Sequence, residues 1–318
     1  MEALRKIVVI GEILVEIMAD DRGEGFLTPI ALTGPFPSGA PAIFVDQCAR
    51  LGQPAAIVSA IGNDDFGRLN LERLKADGVD TSAIYIDDDR PTGTAFVRYR
   101  HDGRRDFVFN IAHAACGKLH RGDATDRVLA SADHIHVMGS SLSSPEFSGF
   151  VVSSAQSVKK RGGTVSFDPN MRKEILNANG IKEAMASVLA VTDLYLPSDE
   201  ELFLLGDSSD IDAAVTQLLS GGISAVVHKR GVKGATYYDS NRSHTVSAYP
   251  VVEVDPTGAG DCFGATFATM WLRGTDPETA LRLAAAAGAL AVTRRGPMEG
   301  ASDMSALTDL INTSKSAS

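Results

Sequence analysis

The chain has 318 residues, 44% of them hydrophobic and 22% charged, a balance ordinary for a globular protein that buries a core. Its formal net charge of −10 argues against non-specific nucleic-acid binding and for small-molecule chemistry. Cys48, Cys116 and Cys262 lie too far apart for a zinc or disulfide framework, and neither "IVVIG" near the start nor "LAAAAGALAV" (283–292) is long enough for a secretory core or a bilayer span. A cytoplasmic location with no membrane partner is expected.

In chain order, "KIVVIGEILVEIMA" reads as a buried strand that becomes alternating and ends in "DDRGEG". "PSGAPAIFVDQCARLG" runs from a turn into a helix, with Ala42, Val45, Cys48 and Ala49 at helical spacing and Gly52 as its stop. "AAIVSAIG" (55–62) is a strand and "DDFGRLNLERLKADGV" (64–79) a helix. "FVRYRHDGRRDFVF" then predicts a hairpin turning around Asp102 and Gly103. Beyond residue 120, strands "HIHVMG" (134–139), "TVSFDPN" (164–170), "LYLPS" (194–198) and "AVVHKRG" (225–231) alternate with helices. That alternation predicts an α/β fold with a mostly parallel sheet covered on both faces. A late hairpin, "GATYYDSNRSHTVSAY", follows, and residues 313–318 read as a frayed tail.

The segment "VDPTGAGDCFGATF" (254–267) carries the chemistry. A short strand, "VEV", leads into the glycines, and the helix through "DCFGATFATMWLRG" begins there. Gly258, Ala259 and Gly260 thus stand at a helix N-terminus, where free amides and the dipole favour an anion. The spacing G-x-G-x-x-x-G is not the dinucleotide fingerprint, and no G-x-x-x-x-G-K-[ST] occurs. Taken alone, these residues serve equally as a turn with Asp261 capping the helix. The functional alternative is phosphoryl transfer, with Asp261 accepting the proton of an acceptor hydroxyl.

"DPTGAGDCFGATF" resembles the C-terminal signature of the ribokinase-like, or PfkB-type, carbohydrate kinases. The likeness continues in order through "VVIGEILVE", "PSGAPAIFVDQCARLG", "SAIGNDDFG", "GTAFV", "SFDPNMR", "LPSDEE", "VHKRGVKGA" and "GALAVTRRGP". It implies a single domain over 1–312, a three-layer sandwich with a small β-sheet lid from about 12–36 and 88–112. It implies ATP and Mg2+ as cofactors, with a monovalent cation and a lid-mediated homodimer as further expectations. Asp261 becomes the catalytic base, and Gly258, Ala259 and Gly260 the anion hole. Lys229, Gly231, Gly234, Thr257, Ala286, Ala287 and Leu290 become candidates for the nucleotide site. Lys229 has a solvated strand end as its plainer reading, and the alanines serve equally well as core. Glu201 is assigned to Mg2+ through water. For the sugar, the candidates are Glu12, Glu16, Gly39, Ala40, Ile43, Arg98, Phe109, His113, Asp168, Asn170 and Arg172, with Asp261 facing the reacting hydroxyl.

Three departures from the family pattern bear on the substrate. Ser38 stands for the first glycine and Ile43 for the asparagine of G-G-x-x-x-N; Ser198 stands for the asparagine of N-x-x-E. "FVFNIAHAACGKL" replaces the tyrosine- and arginine-rich segment of sugar-acid kinases. The reading is therefore an ATP-dependent kinase for a free ketohexose of the fructose or tagatose type. The alternatives are a 2-keto-3-deoxygluconate-type sugar-acid kinase and a non-catalytic sugar- or nucleotide-binding homologue.

Overall fold

The computed structural model describes residues 3–23, 25–101, 105–142, 144–171, 180–204 and 208–316. Strand β1 (Ile7–Ile10) opens the chain, and β2 (Leu14–Arg22) and β3 (Leu32–Ser38) follow before helix α1 (Ala40–Arg50). Next come β4 (Ala55–Gly62), α2 (Asp65–Ala76), β5 (Ile84–Asp87), β6 (Gly93–Tyr99) and β7 (Arg105–Asn110). The alternating region holds α3 (Asp123–Ala130), β8 (His134–Met138), α4 (Pro145–Lys160), β9 (Thr164–Asp168), α5 (Ile181–Leu189) and β10 (Leu194–Tyr195). After α6 (Ile211–Ser220) come β11 (Ala225–Lys229), β12 (Ala235–Tyr238) and β13 (Ser243–Val246). Helices α7 (Ala259–Leu272), α8 (Pro277–Ala291) and α9 (Met304–Ser316) complete the chain.

The large sheet has the order β13-β12-β11-β10-β9-β8-β1-β4-β5. It is parallel from β5 to β11 and antiparallel through the late hairpin. The two-residue period of the strands divides the core. Ile7 and Val9 pack with Phe44, Val227, Phe267 and Leu281 on one face. Val8 and Ile10 pack with Val137, Phe150, Phe167 and Val226 on the other. Both faces of the parallel sheet are covered, as its near-continuous apolar strands require.

The small sheet, in order β3-β2-β6-β7, is drawn from the two segments expected to form it. The stretch read as one strand from residue 6 is two strands in different sheets. Chain direction changes at Gly11, where a Cβ would lie 2.3 Å from Ser141 Oγ. The crossing leaves Glu12 between the sheets. "VEV" is not a strand: residues 251–254 are irregular, and Val252 and Val254 are 82% and 56% exposed. A sequence period of two has no consequence where no neighbouring strand offers its ladder. The expected tail also differs, since α9 continues through Ser316. The turn at Asp102 and Gly103 lies outside the described residues.

The three cysteines are free and buried, and burial pushes the thiols of Cys48 and Cys116 up to about 12, which leaves them unreactive. Among the described residues, no helix is long and apolar enough to cross a membrane.

Candidate active site

The signature loop is held from below by Asp255, which is 1% exposed. Its Oδ1 accepts from the Thr257 amide at 3.0 Å and the Thr257 hydroxyl at 2.7 Å, and its Oδ2 from the Gly296 amide at 3.0 Å. This is the turn-forming role that a local reading gives such an aspartate. The small sheet reaches the same loop, where Tyr99 donates its hydroxyl to Asp255 Oδ1 at 3.1 Å.

Gly258, not Asp261, is the N-cap of α7, with φ 81° and no side chain to occupy the free amides of the first turn. Asp261 is the third residue inside the helix, so the capping alternative is set aside. A Cβ on residue 258 would meet the Pro297 carbonyl oxygen at 2.3 Å. Gly258→Ala should therefore lower stability by at least about 1–2 kcal/mol from the left-handed backbone alone. It should also disturb the amides at the helix start. A thermal melt of the variant checks this, and an unchanged midpoint would contradict the geometry.

A buried polar chain faces those amides. Lys229 Nζ donates to Asp168 Oδ2, and the Asn170 amide donates to Asp168 Oδ1 at 3.1 Å. Asn170 then donates Nδ2–H to Asp261 Oδ1 at 3.0 Å. Asn170 has φ 40°, a conformation that asparagine tolerates better than most residues. Lys229 is thus no solvated strand end: it is 7% exposed. Burial drives its ammonium down, but Asp168 and Glu201 outweigh burial, and it titrates above its ordinary value.

Glu201 Oε1 accepts from the Met171 amide at 2.6 Å and Oε2 from the Ser198 amide at 2.7 Å. Ser198 and Glu201 form a capping box at a 3₁₀ turn, a role that serine fills as well as asparagine. Burial, reinforced by the charge of Asp168, raises the Glu201 carboxyl above the usual range. Among the described residues, no group of three or more His, Cys, Asp or Glu could hold a metal. Each Glu201 carboxylate oxygen keeps a lone pair beyond the backbone amide it accepts from.

Two cavities bear on the candidate site. One, of about 410 Å³, is lined by Ile43, Asp168, Asn170, Ser198, Glu201, Lys229, Thr257, Gly258, Gly260 and Asp261. The other, of about 380 Å³, lies between the sheets and is lined by Glu12, Glu16, Ser38, Gly39, Ala40, Phe109, Ser140 and Ser141. Ser38 Oγ donates to Glu16 Oε1 at 2.7 Å, so the serine in place of glycine orients the carboxylate beside it. Gly39 has φ 112°, and its missing Cβ would fall 2.4 Å from the Glu12 carbonyl oxygen.

Several expected residues are not brought together with these. Arg98 pairs with Asp106 at 2.9 Å and lines neither cavity. His113 is exposed and lines a third cavity with Asp64 and Thr92, which shares Phe109, Ile111 and Ala112 with the cavity between the sheets. The family resemblance implies Ala286 and Ala287 beside the nucleotide, but both are buried in the core at 0% and 1% exposure. Leu290 is half-buried, Gly231 is exposed in a 3₁₀ turn, and Gly234 packs against Val246; none of the three lines either cavity. Arg172 lies outside the described residues.

Sequence reasoning missed Arg100, Arg105, Ser140 and Ser141, which line the two cavities. The Ser140 and Ser141 hydroxyls are buried and have no hydrogen-bond partner among the described residues. Their signal was the small polar run "GSSLSS" just beyond the carboxyl end of a parallel strand, where such sheets place ligands.

A sequence-family profile described as pfkB family carbohydrate kinase matches residues 4–304. The chain is 31% identical over 304 residues to a 2-dehydro-3-deoxygluconokinase of Thermoproteus tenax, covering 94% of this chain and 91% of the relative. It is also 31% identical over 303 residues to a fructokinase of Salmonella typhimurium, covering 92% and 95%. Among solved structures, a protein described as ribokinase II of E. coli, in complex with ATP and Mg2+, superposes with a TM-score of 0.92 at 48% identity, covering 98% of this chain and all of that one.

Proposed function

The chain belongs to the pfkB family of carbohydrate kinases and is a phosphotransferase acting on a sugar hydroxyl; we propose that its acceptor is a neutral ketohexose of the fructose or tagatose type and its donor ATP. The observation that carries this reading is the lining of the cavity between the sheets. It offers two carboxylates, from Glu12 and Glu16, several hydroxyls, and no Lys or Arg among the described residues. Carboxylates accept the hydroxyl protons of a polyol and repel the carboxylate of a sugar acid. Two like charges roughly 4 Å apart cost about 4 kcal/mol at an effective dielectric of about 20.

Within this reading the hydroxymethyl oxygen attacks the γ-phosphorus and its proton passes to the Asp261 carboxylate. The bond to the β–γ bridging oxygen breaks and ADP leaves. The Asn170 bond to Asp261 supports the assignment, because it fixes the carboxylate in one orientation. The amides around Gly258–Gly260 meet the developing charge on the phosphoryl oxygens. Bound Mg2+ would neutralise phosphate charge, with Glu201 orienting its water shell.

Initial rates of ATP consumption with fructose, tagatose, 2-keto-3-deoxygluconate and ribose test the proposal. A ketohexose should exceed the sugar acid by at least about tenfold in kcat/KM, the counterpart of about 1.4 kcal/mol. The reverse preference overturns the neutral-sugar reading. Absence of Asp261-dependent turnover on every sugar overturns the catalytic one.

A further inference from the structure

We propose that Arg105, carried by the small sheet, supplies the guanidinium that meets the transferring phosphoryl group. This rests on the kinase reading above and adds a residue to it.

The cavity that holds Asp261 is also lined by Arg100, Arg105 and Lys229. Lys229 is committed to Asp168, and Arg100 donates Nε–H to Asp106 at 2.6 Å. Among the described residues Arg105 makes no ion pair. Its Nη1 donates instead to the neutral Thr257 hydroxyl at 2.7 Å, and its guanidinium carbon lies 5.8 Å from the Phe107 ring centroid. Asp255 stands behind Thr257, but the amides and hydroxyls of Thr257, Tyr99 and Gly296 already engage its oxygens.

Thr257 immediately precedes the N-cap of α7. A half-buried guanidinium is therefore held next to the positive end of a fourteen-residue helix. Two positive groups converging on one cavity repel each other unless an anion joins them. The guanidinium fork suits the equatorial oxygens of a phosphoryl group in flight. Arg105 leaves the Thr257 hydroxyl, takes two of those oxygens, and returns after the phosphoryl group is on the sugar. The same oxygen–phosphorus bonds form and break as before, and the proton still goes to Asp261. The sequence gives little sign of this role, since Arg105 follows the turn "HDGR" and reads as a solvated hairpin residue.

The test compares wild type with Arg105→Gln and Arg105→Lys, in two assays. In the first, ADP and a non-hydrolysable ATP analogue are titrated without sugar. Arg105→Gln should weaken the analogue at least tenfold and leave ADP within twofold. In the second, kcat for the best sugar should fall about 100-fold in Arg105→Gln, with sugar KM within threefold. Arg105→Lys, which keeps the charge without the fork, should lie between. Equal effects on ADP and analogue, or kcat within threefold of wild type, overturn the proposal. The two readings separate cleanly: wild type that binds neither nucleotide sinks the kinase reading itself, whereas wild type that binds and turns over with an indifferent Arg105 sinks only this one.

Discussion

Asp261→Asn is expected to lower kcat by about 10²–10⁴-fold, the usual worth of a positioned general base. The substitution is nearly isosteric, and the new amide oxygen can still accept the Asn170 Nδ2–H bond that Asp261 Oδ1 accepts at 3.0 Å. Gly258 remains the N-cap, so the helix start loses nothing. What disappears is the ability to take a proton from the acceptor hydroxyl as its bond to phosphorus forms. The loss should therefore fall on kcat, with sugar KM and ADP affinity within a few-fold of wild type. Single-turnover rates with the preferred sugar and calorimetric ADP titration make the comparison. A variant retaining more than about one-tenth of kcat would remove Asp261 from the role of base.

The order of elements and the parallel sheet were legible because apolar strands and amphipathic helices alternate along the chain. Where a strand breaks was not, since "KIVVIGEILVEIMA" carries no local stop signal. Gly11 ends the strand because Ser141 and Pro41 fill the place of its Cβ, a contact made between distant parts of the chain. In the candidate site, the signature glycines and Asp261 stood out through the resemblance of their segment to a family signature, since alone they served equally as a capped turn. Arg105 was not, because its partner Thr257 lies 152 residues away. Arg98, in β6, and Arg100, just past the end of that strand, stand two apart and look alike in sequence. The fold ties both to Asp106 and brings only Arg100 to the cavity. Ala286 and Ala287 show the converse: small apolar residues read equally well as a ligand wall or as core, and burial decides for core.

Lys229→Met should be the most destabilising of these substitutions. Lys229 and Asp168 are 7% and 1% exposed, so removing the ammonium leaves a carboxylate buried without its counter-charge. Breaking one partner of such a pair typically costs about 3–5 kcal/mol, well beyond the median change for a point mutation. Activity should fall as well, for a separate reason. Asp168 Oδ1 holds the Asn170 amide, and Asn170 holds Asp261, so a displaced Asp168 loosens the expected base. Adding Asp168→Asn to Lys229→Met separates the two effects. The neutral pair no longer buries an unpaired charge, so denaturant melts should recover at least half of the lost stability. Turnover should stay low, because the carboxamide at position 168 still accepts from the Asn170 amide but has no ammonium to fix its orientation. A double variant as unstable as Lys229→Met would assign the loss to packing of the lysine stem. One that regained wild-type kcat would show that Asp168 does not position the Asn170–Asp261 pair.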